Sequence, residues 1–259
     1  MIIIKNAKEI ELMRAAGHAA GSVLEEVVAF IQPGMTTRQI DEFAAERMNL
    51  RGGRSAFLGY KKFPCHLCIS MNEAVVHGMA SERRVQFGDI ISLDVGVVLN
   101  GYIGDTARTV KVGGCDLLAQ KLIEVTERAL YEGISQAVSG NRVVDISRAI
   151  QTYVEKNGFS VVREFVGHGV GRTMHEDPQV PNFVETSGHS PKLKPGMTIA
   201  IEPMVNAGLP GVDILKDGWT VVTKDRMLSA HFEHTVLITE REPEILTCPA
   251  TKELRSTEL

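Results

Sequence analysis

The sequence predicts an α+β fold in a single domain, because helical patterns precede β-like patterns in each half of its 259 residues. An Asn-Gly pair between two long apolar runs is the strongest short-range signal for a β-hairpin. No linker or low-complexity segment interrupts the order, so we interpret residues 1–259 as one domain. This order is compatible with a duplicated unit, although identity between the halves is too slight to prove duplication.

Four segments have helical patterns. In the first, apolar residues recur at helical spacing until Pro33-Gly34 ends the pattern. The second opens with Thr36-x-x-Gln39, which is a capping-box pattern. The predicted helices span Ala7–Phe30, about 37–50, Leu117–Val138 and Val144–Lys156.

The β-like runs lie between and after these helices. In the first half, a strand-like stretch over 67–77 turns near Asn72, and a hairpin follows with its turn at Asn100-Gly101. The hairpin strands are Ile90–Leu99 and a second run to Val112. The later predicted strands are Val161–Phe165, Met197–Val205, Val212–Leu215, Thr220–Thr223 and Leu228–Ile238.

Charge and composition exclude several classes of protein. The net charge of −4 argues against a chain-wide affinity for nucleic acid or for an anionic membrane. Residues 1–5 lack the basic region of a signal peptide, and no apolar run is long enough to span a bilayer. We therefore predict a cytoplasmic protein with reduced thiols, in which Cys65 and Cys68 are two unrelated thiols, one of which could line a pocket.

Asp94 lies in the middle of an apolar strand, where a carboxylate is costly unless it is paired or bound to a metal. If Asn100-Gly101 forms the turn, Asp94 lies opposite Ala107. Asp105 then lies diagonal to Asp94 on the same face, with Cα atoms roughly 7–8 Å apart. The two carboxylates could hold one ion or bridge two ions about 3.5–4 Å apart.

A register shifted by one residue gives a different interpretation of the same hairpin. Asp94 would then face Arg108 in an ordinary cross-strand ion pair, and Asp105 would point to the other face. The hairpin alone leaves both interpretations open.

The second half of the chain supplies three further candidate ligands. Glu202 ends one apolar strand, Glu233 lies inside another, and His168 lies between glycines. Four carboxylates with one histidine form an oxygen-rich set that suits Mn, Fe, Co or Zn in a hydrolytic pair. Jointly, these residues predict a metal-dependent hydrolase.

The motifs around these residues resemble those of the methionine aminopeptidases, in order and over essentially the whole chain. They are Val75-Val-His77-Gly78, Ser92-Leu-Asp94-Val-Gly96, Gly104-Asp105-Thr-Ala, Gly167-His168-Gly-Val-Gly171, Met174-His175-Glu-Asp-Pro178, Ile201-Glu202-Pro203 and Phe232-Glu233-His234-Thr235. The resemblance implies the pita-bread fold, with two pseudo-symmetric halves around a central metal site. The short gap from His175 to Glu202 leaves no room for the helical insertion that marks type II members. The chain therefore resembles a type I enzyme of bacterial kind, which is expected to lack the N-terminal zinc-binding extension of eukaryotic cytosolic forms.

The resemblance also implies a ligand set and a substrate. Asp105 and Glu233 would bridge two divalent ions, Asp94 would complete one site, and His168 with Glu202 would complete the other. The implied substrate is the N-terminal methionine of nascent polypeptides whose second residue is small. We also expect a transient contact with the ribosome and a monomeric state, whereas the lack of a basic patch predicts no specific nucleic-acid partner and no membrane partner.

Three residues are expected to act directly on this substrate. Glu202 would transfer the proton of the attacking water to the leaving amine, His175 would stabilise the tetrahedral intermediate, and His77 would contact the scissile peptide. The implied walls of the methionine pocket are Tyr60, Phe63, Cys68, Met174 and Trp219. An ordinary buried core is the alternative interpretation of these five side chains.

The sequence departs from many relatives at three positions near the implied pocket, namely Phe57, Lys61 and Met174. His231 stands where relatives often have glutamine, and we predict that it lies on the strand face of Glu233 and donates to a ligand carboxylate. Two other functions remain as alternatives: a proline-directed relative such as a prolidase, or a metal-free homologue that acts as a binding protein.

Overall fold

The computed structural model describes residues 1–185 and 190–249, so residues 186–189 and 250–259 of the predicted single domain lie outside the described ranges. The four α-helices in these ranges lie where the sequence predicts helices. They are α1 Ala7–Phe30, α2 Thr37–Leu50, α3 Leu117–Ser135 and α4 Val143–Lys156. None of the described helices combines the length and the apolar character that crossing a bilayer requires.

The first two helices begin at capping boxes. The Asn6 side chain accepts from the backbone N–H of Glu9, whose carboxylate accepts from the N–H of Asn6. Thr36 and Gln39 make the same reciprocal pair at the start of α2, which confirms the capping box predicted there.

Most of the strands belong to one large sheet. Its central path runs in the order β1-β4-β5-β14-β9-β7-β8, and β2 and β15 pair with β4 and β14. Two three-stranded sheets, β13-β10-β6 and β11-β12-β3, complete the described strands. The strands are β1 Arg54–Ser55, β2 Cys68–Met71, β3 Ala74–Val76, β4 Ile90–Leu99, β5 Tyr102–Lys111, β6 Ser160–Val161, β7 Gly167–Gly169, β8 Glu176–Val180, β9 Thr198–Ile201, β10 Met204–Asn206, β11 Val212–Ile214, β12 Val221–Thr223, β13 Ser229–His231, β14 Glu233–Leu237 and β15 Glu244–Ile245.

The hairpin β4–β5 has the register in which Asn100-Gly101 forms the turn. Asp94 pairs with Ala107, as predicted, and Arg108 pairs with Leu93. The alternative interpretation, a cross-strand ion pair between Asp94 and Arg108, is therefore wrong.

Each pair of helices covers its own half of the large sheet. Helices α1 and α2 share an apolar core with β2 and β4, in which Val23, Ile40 and Leu93 are fully buried. Helices α3 and α4 share a second core with β9 and β14, which buries Leu122 and Ile199. Strand β5 of the first half of the chain is the neighbour of β14 of the second half, so the central strands bring the two halves together.

Two predicted strands are broken where the chain passes between sheets. The run predicted over Met197–Val205 divides into β9 and β10 at Glu202-Pro203, and that over Leu228–Ile238 divides into β13 and β14 at Phe232. Proline has no N–H for a sheet ladder, which explains the first break. The N–H of Phe232 donates to the carbonyl oxygen of Pro203 (3.3 Å), so the two breaks lie side by side.

Other differences concern short or unusual strands. The predicted run Val161–Phe165 is reduced to β6, and the stretch over 67–77 forms β2 and β3 in different sheets. Strands β7 and β8 were not predicted, because β7 begins and ends with glycine and β8 contains Pro178. Neither segment has the alternating apolar pattern that identifies a half-buried strand.

Gly104 on β5 allows α1 to approach the sheet closely. A Cβ atom at this position would lie 2.4 Å from the carbonyl oxygen of Ala16 and 2.6 Å from the Cα atom of Gly17. Both contacts are with helix backbone, which cannot move aside as a flexible side chain can.

We therefore expect Gly104→Ala to lower the free energy of unfolding by about 1–3 kcal/mol, as overpacking of a core does. Urea unfolding would measure the change. Gly211→Ala is the control, because its Cβ would meet only the side chain of Lys224, at 3.1 Å. An equal effect of both substitutions would contradict the close-approach explanation.

Candidate active site

Five adjacent strands bring the five predicted ligands to the middle of the large sheet. Asp94 lies on β4, Asp105 on β5, Glu233 on β14 and His168 on β7, and Glu202 directly follows β9. Residues from both halves of the chain thus meet at the strands that join the two cores. Ala107 on β5 lies between two of these ligands, because it pairs with Asp94 on one side and with Glu233 on the other.

The distances define a compact group within this set. One ligand atom from each of Asp105, His168 and Glu233 lies within 4.8 Å of the other two. His168 Nε2 lies 3.7 Å from Asp105 Oδ2 and 3.4 Å from Glu202 Oε1. Asp94 lies outside the 4.8 Å group, on the strand that pairs with Cys68 of β2.

The carboxylates are buried with too few hydrogen-bond donors. Asp105 and Glu233 are each 2% exposed. Three of the buried oxygens, Asp94 Oδ1, Asp105 Oδ1 and Glu233 Oε1, accept no hydrogen bond. Buried charges of this kind are costly unless a cation neutralises them.

Burial also raises the pKa of every carboxyl in the group. It raises the pKa of Asp94 to about 7. The pKa values of Asp105, Glu202 and Glu233 are raised well above their ordinary values, first by burial and then by the neighbouring negative charges. A divalent cation would reverse both effects, so these residues fit a metal site.

His168 is oriented to offer a lone pair to this group. Its Nδ1 lies 2.9 Å from the carbonyl oxygen of Gly169, which can only accept, so Nδ1 carries the proton. Its Nε2 is then free to face Asp105 and Glu202. Burial lowers the pKa of His168 to about 4, which keeps the ring neutral and able to bind a metal.

The other two predicted histidines lie beside this centre. The ring of His175 lies 4.2 Å from that of His168, and its Nδ1 lies 2.8 Å from the hydroxyl of Tyr60. His77 has a positive φ of 58°, and its ring meets Trp219 edge-on at 6.2 Å. Burial lowers the pKa of both histidines, that of His77 to about 4, so both are neutral at physiological pH.

The five predicted pocket residues lie together. They belong to one apolar cluster that also contains Phe57 and Cys65. Within it, the ring of Phe63 meets that of Trp219 edge-on at 5.1 Å. The members predicted from the sequence are Tyr60, Phe63, Cys68, Met174 and Trp219.

This cluster and its edge also contain Cys65, Cys68 and the three positions at which the sequence differs from many relatives. Cys65 and Cys68 are free, buried thiols, and both belong to the cluster. Phe57 and Met174 are members as well, whereas the Lys61 ammonium lies outside it, 5.4 Å from the centre of the Tyr60 ring.

Two features of the site were not predicted. Phe165 meets His77 edge-on at 5.5 Å, and the Tyr60 hydroxyl contacts His175. Both contacts join segments that are distant in the sequence, and no periodicity in either segment signals them.

His231 reaches the ligand carboxylates by a different route from the one predicted. The break at Phe232 puts it in another sheet from Glu233, so the prediction of a shared strand face is wrong. Nevertheless, its buried and unpaired Nε2 lies 3.9 Å from Glu202 Oε2 and 4.0 Å from Glu233 Oε2.

Comparisons with known proteins agree with this geometry. Residues 11–240 match the metallopeptidase family M24. The chain is 52% identical to a methionine aminopeptidase of Clostridium perfringens and 49% identical to methionine aminopeptidase 1 of Bacillus subtilis. Each alignment covers 95% of this chain and 99% of the relative.

This chain matches a larger share of a solved methionine aminopeptidase than of a solved prolidase. The structure of methionine aminopeptidase from Thermotoga maritima matches with a TM-score of 0.93 and 46% identity, over 96% of this chain and all of that one. A prolidase from Pyrococcus horikoshii matches with a TM-score of 0.77 and 25% identity, over 96% of this chain but only 64% of that one. The pita-bread fold is thus confirmed. Because the match to the methionine aminopeptidase covers its full length and the match to the prolidase does not, the comparison favours a methionine aminopeptidase over a prolidase. The chain belongs to the metallopeptidase family M24 and, within it, to the methionine aminopeptidases.

Proposed function

We propose that this chain is a metal-dependent aminopeptidase that removes the initiator methionine from nascent polypeptides whose second residue is small. The observation that carries this proposal is the convergence of four carboxylates and one histidine from five adjacent strands, with the predicted pocket residues gathered in one apolar cluster. The proposed catalytic domain is the whole chain, residues 1–259.

The proposed ligands form two overlapping sets. Asp105 and Glu233 would be shared by two divalent ions, with Asp94 on one side and His168 with Glu202 on the other. This division is supported by the compact group around Asp105 and Glu233 and by the short distance from His168 to Glu202. Cobalt, manganese, iron and zinc all suit a site of oxygen and imidazole ligands.

A bound pair of divalent ions lowers the pKa of water and polarises a carbonyl group. Within the protein, Glu202 is the carboxylate that would take a proton from the attacking water and later release it to the leaving amine. His175, which is neutral, could donate a hydrogen bond to the oxygen on which negative charge develops. His77 would contact the scissile peptide from the other side of the pocket.

The proposed pocket suits a methionine side chain. Methionine is flexible and polarizable, and its sulfur makes favourable contacts with aromatic rings. Tyr60, Phe63 and Trp219 supply such rings, while Cys68 and Met174 supply soft apolar surface. We also propose a cytoplasmic location, where nascent chains become available, and the transient contact with the ribosome and the monomeric state stay predictions.

Peptide hydrolysis with metal added to stripped enzyme tests this function. We expect Met-Ala-Ser to be cleaved and a matched Met-Phe-Ser peptide to be left intact, because a large second side chain would displace the peptide from the closed site. An Ala-Pro peptide is the control for a proline-directed activity and should also remain intact. Efficient cleavage of Met-Phe-Ser would contradict the proposed preference, and hydrolysis of Ala-Pro alone would contradict the proposed function.

A further inference from the structure

His175 is carried by a short loop between strands β7 and β8. We call residues 171–176 the His175 loop. It presents Met174 to the apolar cluster and His175 to His168 and Tyr60. Because a shift of about 1 Å in a catalytic group can lower a rate by about 100-fold, what holds this loop matters for the proposed chemistry.

The carboxylate of Glu176 lies at the centre of the loop. Its Oε1 accepts from the backbone N–H groups of Arg172 (3.0 Å) and Thr173 (3.4 Å). A Cβ at Gly171 would lie 2.5 Å from the same oxygen, so the loop backbone wraps closely around the carboxylate. Glu176 therefore fixes the backbone that leads to its neighbour His175.

The other oxygen of Glu176 binds a residue from the start of the chain. Lys5 Nζ lies 2.7 Å from Glu176 Oε2, and the two side chains are only 3% and 5% exposed. The backbone of Lys5 is itself fixed, since its N–H donates to the carbonyl oxygen of Gly196 (2.8 Å). An ion pair this well buried is strongly disrupted when one partner is removed, because the remaining charge has no partner.

Residues near Lys5 in the sequence line a cavity together with His175. A cavity of about 480 Å³ is lined by Met1 and Ile3 together with His168, His175 and Glu176. The loop has a second support, because the Arg172 guanidinium lies 4.6 Å from the centre of the Tyr102 ring. The first residues of the chain thus form part of the wall of a cavity that His175 also lines.

We propose that Lys5 and Glu176 are positioning residues that hold His175 where it meets the reacting peptide. Lys5 neutralises the Glu176 carboxylate, and the carboxylate holds the backbone of the loop. This inference rests on the proposed function, in which His175 acts on the substrate. Neither Lys5 nor Glu176 contacts a candidate metal ligand through any described ion pair or hydrogen bond. Substitution of either residue should therefore change catalysis and not metal content.

A double-mutant cycle tests the proposal in the full-length, metal-loaded enzyme. We expect Lys5→Met to lower kcat for Met-Ala-Ser about 10- to 100-fold, with KM and metal content within about twofold of wild type. In the His175→Ala background the same substitution should lower kcat by less than about twofold, because the group it positions is already gone. Arg14→Met, which removes the ion pair between α1 and Glu244 on β15, should leave kcat unchanged.

Two further variants keep the test decisive if Lys5→Met does not fold. Glu176→Gln keeps an acceptor for the loop but removes the charge, and Lys5→Met with Glu176→Gln leaves no unpaired charge. Equal losses of kcat in both backgrounds, or no loss in any variant, would overturn the positioning role and leave the proposed function intact. If His175→Ala alone is fully active, both the proposed role of His175 and this inference fail.

Discussion

Asp105→Asn and Glu233→Gln should each abolish hydrolysis of methionyl peptides, with at least a 1000-fold loss of kcat/KM. The proposed site shares these two carboxylates between two ions, and an amide supplies neither the charge nor the second equivalent oxygen. Loss of several kcal/mol of transition-state stabilisation corresponds to roughly three orders of magnitude in rate. Activity and bound metal should be measured on the same metal-replete samples.

The same substitutions should make the metal-free protein more stable, although they abolish its activity. The pKa of Glu233 is raised by burial and by Asp105, Glu202 and Asp94. At neutral pH the folded, metal-free protein must therefore either bury a charge that the unfolded chain leaves in water or take up a proton that the unfolded chain does not hold. Replacing this carboxyl with a neutral amide removes that cost. We therefore expect Glu233→Gln to have a higher Tm than wild type in a chelator and a smaller gain in Tm on addition of metal.

Glu132→Gln is the matched control for these measurements. Glu132 pairs with Arg128 on α3, away from the candidate ligands, and its loss should change neither activity nor the response to metal. Near-wild-type activity of Asp105→Asn or Glu233→Gln would contradict the two-ion assignment. An unchanged Tm in chelator would instead contradict the view that uncompensated charge makes the metal-free site unstable.

Much of this site could be predicted from the sequence because one hairpin determines its geometry. An Asn-Gly turn sets the register of β4 and β5, and that register puts Asp94 opposite Ala107 with Asp105 on its diagonal. Carboxylates inside apolar strands are rare enough to be informative, which is why Glu202 and Glu233 were also found. The capping box gave the start of α2 for a similar reason, since the signal is local and chemical.

The features that were missed depend on contacts between distant segments. The break at Phe232 arises where two sheets meet, and a continuous apolar run does not reveal such a junction. The ion pair between Lys5 and Glu176 joins residues 171 positions apart. Neither residue has a local pattern that distinguishes it from a solvent-exposed charge, so only the fold shows that both are buried.

His175→Ala should lower kcat about 100- to 1000-fold while KM changes little and the metal content stays at the wild-type level. The rate loss is that of removing one hydrogen-bond donor to a developing oxyanion. The structure gives His175 a position suited to this role and not to a ligand: its Nδ1 contacts the hydroxyl of Tyr60, and it is absent from the compact group formed by Asp105, His168 and Glu233 among the described residues.

A donor and a ligand differ in how their loss can be repaired. A donor to the transition state affects kcat and kcat/KM together, and no excess of metal replaces it. A ligand, in contrast, sets the affinity for the ion, so its loss is partly rescued by added metal. Steady-state kinetics should therefore be measured for His175→Ala over a series of metal concentrations, with His168→Ala as the matched ligand variant. Rescue of His168→Ala but not of His175→Ala supports the assignment, whereas loss of one metal equivalent from His175→Ala, with activity restored by excess metal, would make His175 a ligand.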